Sequence, residues 1–202
     1  ELRREIVTLG SGKVRSYDLD GNLLWSFSGM SSITIATPYQ YNGLLYISSG
    51  YVGDSDRPLY AIRPGAEGDI SLEGTETANE SIVWSQPTAA PYNPSTIAYE
   101  GIVYVLYDRG LFAAYDAADG SEIYSKVRIP NGGEFTSSPW AYDGKIFCIN
   151  EDGVTSVIKA GNEFELLGSN PLSDDDMAMA TPAIAADRLL IRTAKRIYCI
   201  QK

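Results

Sequence analysis

The chain has 202 residues, of which 44% are apolar and 11% aromatic, enough to build a globular core. Its net charge of −10 disfavours a nucleic-acid partner, because phosphate binding requires a basic surface. The sequence contains no histidine, which excludes Ser-His-Asp and Cys-His catalytic constellations. No apolar run approaches the roughly 20 residues that a membrane-spanning helix needs, so we expect no membrane span.

The first predicted element covers residues 1–27 and holds three strands, near 5–8, 14–18 and 23–25. Each is short and contains Val, Ile, Leu, Tyr or Trp, a composition typical of half-buried strands. The spacing predicts no earlier strand, so we expect this element to be an incomplete blade.

The second element, residues 37–85, begins with two strands joined by the turn Asn42-Gly43, a dipeptide that supplies the positive φ angles of a tight hairpin. A third strand is predicted near 60–63 and a fourth near 82–84. The segment 64–81 between them is rich in Gly, Glu, Thr and Asn, and we expect it to be a solvated surface loop.

The same pattern returns at 95–125, at 138–167 and, without its last strand, at 181–202. Strand repeats of about 40–45 residues are typical of a β-propeller, with one four-stranded blade per repeat. The third strands of the five repeats are centred on Tyr17, Ile62, Tyr115, Ile158 and Ile200.

We therefore predict an all-β fold: a single, partial β-propeller domain over residues 1–202, built from four-stranded antiparallel blades. Four to five blades are expected here, as part of a larger ring of seven or eight. The last blade would obtain its missing strand from N-terminal blades outside this chain, which would close the ring and remove exposed sheet edges. A closed five-bladed ring with two three-stranded blades is the alternative.

The two cysteines, Cys148 and Cys199, both lie in apolar strands. Buried free thiols would explain them, because cysteine is often a small core residue. A disulfide between neighbouring blades is the alternative, if the two Cα atoms come within reach. Two cysteines without histidine do not suit a zinc site.

Residues 114–124 place a small residue, an acid, a glycine and an aromatic residue in order, at Ala114, Asp116, Gly120 and Tyr124. The aromatic position is held by Trp25 and Trp84 in earlier repeats. The small residue allows close packing, the Asp and Gly form the turn, and the aromatic ring fits between blades. The pattern indicates blade packing rather than cofactor chemistry.

This pattern resembles the tryptophan-docking motif of quinoprotein propellers, and the whole chain resembles PQQ-binding-like β-propeller repeat proteins of the quinoprotein-like and BamB-like kind. The resemblance implies a bacterial protein of the periplasm or a secreted one, with protein or peptide partners in the cell envelope. In the enzymes of this group it implies PQQ held over calcium, with a catalytic aspartate and a vicinal disulfide. The sequence has no adjacent cysteines and no matching aspartate motif, so we assign no catalytic residue and expect no cofactor.

When the strands of a blade are lettered A to D along the chain, the D–A and B–C connections share one face of a propeller. That face is predicted to be a binding site for a peptide, a sugar or a cation. Acids are equally common in turns that bind nothing, and calcium would need six to eight oxygen ligands at Asp54 and Asp56 or at 174–176. The candidate residues are Asp54, Asp56, Arg57, Asp108, Arg109, Glu151, Asp152, Lys195 and Arg196. No metal site is assigned.

The sequence thus favours a non-catalytic binding or scaffolding propeller. A PQQ-dependent dehydrogenase, with PQQ and calcium as its cofactors, is one alternative. A carbohydrate-binding propeller is another.

Overall fold

The computed structural model describes residues 3–172 and 176–201, and all regular structure within these residues is β. The strands are β1 (Ile6–Gly10), β2 (Lys13–Tyr17), β3 (Leu23–Ser28), β4 (Tyr39–Tyr41), β5 (Leu44–Ser48), β6 (Leu59–Ile62), β7 (Gly68–Asp69), β8 (Ile82–Gln86), β9 (Ile97–Tyr99), β10 (Ile102–Leu106), β11 (Leu111–Asp116), β12 (Glu122–Arg128), β13 (Trp140–Tyr142), β14 (Lys145–Ile149), β15 (Val154–Lys159), β16 (Leu166–Pro171), β17 (Ala183–Ala185), β18 (Arg188–Arg192) and β19 (Ile197–Gln201).

The strands form five sheets, which we call blades I to V in chain order. Blade I has the order β1-β2-β3-β7, blade II β4-β5-β6-β8, blade III β9-β10-β11-β12, blade IV β13-β14-β15-β16, and blade V β17-β18-β19. Neighbouring strands are antiparallel except β3 and β7. The predicted all-β architecture of four-stranded antiparallel sheets is confirmed.

The chain divides into two compact units. Unit 1 comprises Glu1–Tyr92 and Ala117–Gly120, and unit 2 comprises Asn93–Asp116 and Ser121–Lys202. Blades I and II belong to unit 1, and blades III, IV and V belong to unit 2.

The hairpins that start the blades have the predicted turn chemistry. Asn42 and Gly43 both adopt positive φ angles, of 46° and 79°, and Asp143 and Gly144 repeat this at 49° and 68°. Asn, Asp and Gly tolerate this left-handed region better than other residues do. These turns fix the register of β4 with β5 and of β13 with β14.

The core of unit 1 joins the facing sides of blades I and II. Phe27 and Tyr60 meet edge to face with ring centroids 4.8 Å apart, an arrangement that aromatic rings favour. Val14, Ile62 and Ile82 complete the same cluster and are fully buried.

The first part of segment 64–81 differs from the predicted surface loop. The interpretation of this whole segment as a solvated loop is wrong for its first part, because β7 pairs in parallel with β3. The amide of Ile70 donates to the carbonyl of Ser26 at 2.9 Å, and the Ile70 side chain is buried. The free edge of β3 and an apolar Ile70 explain the docking, although the Gly-rich sequence shows no strand pattern.

In unit 2 one core cluster lies between blades III and IV, where Tyr104, Phe112 and Ile158 are fully buried, and a second joins Ile149 of blade IV to Ile191 of blade V. Hydroxyl groups that lie just before the A strands link blades III, IV and V to one another. The Ser95 amide donates to the Ser138 hydroxyl, and the Ser138 amide donates to the Thr181 hydroxyl, both at 2.9 Å.

Both cysteines are free thiols. Cys148 is buried, as the first interpretation expects, and burial raises the pKa of its thiol. Cys199 is exposed on β19, so the expectation of burial is wrong for this residue. Within the described residues blade V is three-stranded, and β19 pairs with β18 alone.

Alkaline pH is expected to destabilise the protein through Tyr60. Burial raises the pKa of Tyr60 to about 12, with a further contribution from the Asp56 carboxylate. Because the unfolded tyrosine ionises near pH 10, the stabilisation is complete below pH 10 and is lost as the pH rises towards 12. The free energy of unfolding should therefore decrease by about 2 kcal/mol.

Urea unfolding at pH 9 and pH 11.5 measures this effect. Tyr60→Phe should show a smaller decrease in unfolding free energy between the two pH values than the wild type does. Tyr142→Phe, at an exposed tyrosine, is the control. Equal decreases in the wild type and both variants would contradict the assignment to Tyr60.

Candidate functional site

In unit 1, the predicted binding residue Asp54 holds two loops together. Its carboxylate accepts a hydrogen bond from the backbone amide of Ser32 at 2.5 Å. This bond joins the loop after β3 to the loop between β5 and β6. The Ser31 amide donates to the Ser49 hydroxyl at 3.1 Å, and the Tyr51 amide donates to the Ser31 hydroxyl at 3.2 Å. Asp54 therefore acts as a brace between loops.

Two acids of unit 2 do the same. Asp108 accepts the backbone amide of Asn93 at 2.8 Å. Glu151 accepts the hydroxyl of Thr136 at 2.5 Å. In both cases an acid after a B strand holds the connection that enters its own blade, as in unit 1. A carboxylate that accepts such a bond fixes the loop and satisfies a polar group.

Blade V reverses the arrangement. Asp176, on the incoming connection, is 5% exposed and accepts the Thr193 hydroxyl and the Lys195 amide at 2.5 and 3.0 Å. The guanidinium of Arg196 lies 3.4 Å from the same carboxylate. Asp174 and Asp175, which complete the predicted acidic run, lie outside the described residues.

The other predicted residues have different surroundings. Arg57 is fixed through its backbone, since its amide donates to Pro87 and its carbonyl accepts from Ala90. The Arg109 carbonyl accepts a hydrogen bond from the guanidinium of Arg128 at 2.8 Å. Asp56 and Asp152 are exposed.

The quinoprotein enzymes that the sequence resembles would require a calcium site. Within 3–172 and 176–201, no group of three or more acids or cysteines comes close enough to hold a metal ion. Calcium needs six to eight oxygen ligands, and the carboxylates of Asp54, Asp108 and Glu151 already accept hydrogen bonds within the chain.

The sequence pattern did not predict the exposed apolar side chains on the loops of unit 1. Ile33, Ile35 and Val52 are 41%, 47% and 61% exposed, and we call these three residues the apolar loop patch. The hydroxyl of Ser31 donates to the Ile33 carbonyl, and the Asp54 brace holds the two loops that carry the patch. Single apolar residues in loops have no periodicity, so no pattern identifies them.

The docking motif of unit 1 places Trp84 against the segment Ala117–Gly120. The indole N–H of Trp84 donates to the Ala117 carbonyl at 3.1 Å, and the Tyr46 hydroxyl donates to the same carbonyl at 2.8 Å. Gly120 lies under the indole ring: a Cβ atom there would be 2.5 Å from Cδ2 of Trp84. The contact requires glycine at this position.

Trp25 uses a different partner. Its indole N–H donates to the carboxylate of Glu5 at 2.7 Å, and the Ser16 hydroxyl donates to the same oxygen at 2.6 Å. Burial alone would raise the pKa of Glu5. Its hydrogen bonds from Ser16, Arg3 and Trp25 outweigh that effect, so the pKa is lowered.

Tyr124 of unit 2 lies opposite Ala114 in the β11–β12 pair. It packs on Phe164 with ring centroids 6.4 Å apart, and burial raises the pKa of its hydroxyl. Asp116, the acid of the motif, donates its amide to the Ser121 carbonyl to close the turn.

A cleft of about 670 Å³ in unit 1 is lined by Arg3, Glu5, Gln40 and Arg63 beside Trp25. A sugar site would use an exposed aromatic face. Trp25 is only 2% exposed, so its ring offers no such platform.

The sheets and the similarity to a solved structure define a β-propeller fold, and the predicted all-β fold class is confirmed. Residues 66–163, just under half of the chain, match the family model described as outer membrane protein assembly factor BamB. BamB from Moraxella catarrhalis is similar over 97% of this chain and 54% of its own, with a TM-score of 0.65 and 14% identity. The chain thus spans about half the length of that structure.

No curated protein matches the sequence. The described residues also contain no helix of the length and hydrophobicity that crossing a membrane requires.

Proposed function

We propose that this chain is part of a non-catalytic propeller that binds a protein or peptide partner in the bacterial cell envelope, in the periplasm or as a secreted protein. The BamB-like blades support this role, since BamB is described as an outer membrane protein assembly factor. The role needs neither PQQ nor calcium.

The proposal rests on two different kinds of side chain on the loops of unit 1. The Asp54 carboxylate holds the loops, whereas the apolar loop patch remains exposed. The Ser32–Asp54 bond brings together the two loops that carry these side chains, and exposed apolar surface of this kind is typical of protein-interaction sites. The net charge of −10 favours a partner surface that is apolar with basic flanks.

Photocrosslinking tests the proposal. A photoreactive residue at Val52, in the full-length protein within its own cell envelope, is expected to give one reproducible protein adduct. Leu19 is the matched control, because it is 64% exposed and lies in the turn between β2 and β3, at the other end of blade I. The Val52 adduct should disappear in the Ile33→Asp variant. Equal adducts from Val52 and Leu19, or none from Val52, would contradict the proposal.

A further inference from the structure

The outer edges of the blades are covered in unit 1. The parallel pairing of β7 with β3 covers the edge of blade I. In blade II the Asn79 amide donates to the Ile82 carbonyl at 2.8 Å, and the Ser85 hydroxyl donates to the Thr77 carbonyl at 3.0 Å. The insertion at 64–81 therefore supplies partners to both outer strands of this unit.

The pairing of β7 also shows what an outer strand of this fold accepts. Gly68 and Asp69 lie opposite Trp25 and Ser26, and the next residue, Ile70, is buried. A short extended segment followed by one apolar side chain is sufficient to dock.

In unit 2 the outer strands are β12, β16 and β19, and each has a sheet neighbour on one side within the described residues. β19 ends the three-stranded blade V, so we compare β12 and β16, the fourth strands of the two four-stranded blades. An edge strand turns every second amide and carbonyl outward, where another strand can pair with them. Natural edges are blunted by charged residues, lysine above all.

The edges of β12 and β16 differ in charge. β12 carries Lys126, whose ammonium lies 4.6 Å from the centre of the Tyr107 ring, and Arg128, which donates to the Arg109 carbonyl. β16 has the sequence Leu-Leu-Gly-Ser-Asn-Pro, without a charged residue, and all of it except Leu166 is exposed. Leu167 presents an exposed apolar side chain, 46% accessible. β16 thus lacks the charged side chains that β12 carries, and Pro171, which has no amide hydrogen, limits pairing only at its C-terminal end.

We propose that the outer edge of β16 accepts an extended, cationic segment of a partner protein as an additional strand. Charge selects the occupant. Glu163 is exposed just before β16, and the chain carries a net charge of −10, so basic residues at the ends of the incoming strand are favoured. The same charge opposes pairing between the β16 strands of two copies.

This edge belongs to unit 2 and is separate from the apolar loop patch, so the two proposals can fail independently. The probe is a fluorescent peptide, Lys-Thr-Val-Thr-Val-Thr-Lys, titrated with the full chain and followed by anisotropy. Saturable binding is expected. Methylation of alternate backbone amides of the peptide should weaken it about tenfold or more, because the lost bonds are main-chain bonds.

Ser169→Lys on β16 should weaken binding by a similar factor, whereas Ser125→Lys on β12 should leave it unchanged. Replacing the terminal lysines of the peptide by glutamates should also weaken it. The proposal is overturned if the peptide does not bind, or if the methylated peptide binds equally well. It is also overturned if the chain forms a dimer that Ser169→Lys abolishes, since a second copy would then occupy the edge.

Discussion

Replacing Trp84 by alanine is expected to lower the free energy of unfolding by about 3–5 kcal/mol. The side chain is 4% exposed, and its indole N–H donates to the Ala117 carbonyl. Alanine would remove that bond, leave a cavity beside Gly120, and leave Tyr46 as a remaining donor to the carbonyl. Urea unfolding followed by circular dichroism measures the change.

Trp84→Phe separates packing from hydrogen bonding. Phenylalanine keeps most of the ring contact and loses the donor, so the expected loss is about 1 kcal/mol. A loss as large as that of Trp84→Ala would show that packing on Gly120 is not the main source of stability.

The same contact can be tested from its other side. Gly120→Ala would place a Cβ atom 2.5 Å from the Trp84 ring and strain a φ angle of +73°. Gly65→Ala is the matched control, because Gly65 has a φ angle of +84° with open space where the Cβ would lie. We expect about 1 kcal/mol for the control and at least about 2 kcal/mol for Gly120→Ala. Equal losses would contradict the ring contact.

The second large effect is expected at the Asp54 brace. Asp54→Ala removes the carboxylate acceptor from the Ser32 amide. Because this bond is exposed to solvent, we expect a loss of about 1 kcal/mol, within the usual range for a net hydrogen bond. Asp56→Ala changes the charge equally two residues away, at an exposed side chain, and should cost less than about 0.5 kcal/mol. Urea unfolding at pH 7 compares the two. Equal stability of both variants would show that Asp54 does not hold the loops.

The repeat pattern predicted the sheets well because each hairpin carries its own local signal, such as Asn42-Gly43. The pairing of β7 could not be predicted, because Gly68 and Asp69 have no strand pattern and their position depends on a distant edge at β3. Local sequence contains no information about such contacts.

The candidate site shows the same limit. The acids lie in connections between strands, but a carboxylate that holds a loop and one that binds a ligand look identical in sequence. The bond from Ser32 to Asp54 spans 22 residues, and only the fold brings the two together. Likewise, Glu5 as the acceptor for Trp25 could not be inferred from the docking motif.

We propose that the loops of unit 1 bind a partner through exposed apolar residues, whereas Asp54 serves the fold. The most direct test is the affinity of the partner crosslinked at Val52 for two variants, Val52→Asp and Asp56→Ala. We expect Val52→Asp to weaken binding at least about tenfold, or about 1.4 kcal/mol, with unchanged unfolding free energy, and Asp56→Ala to change affinity less than about twofold. Unchanged affinity in Val52→Asp, with a large loss in Asp56→Ala, would contradict the claim.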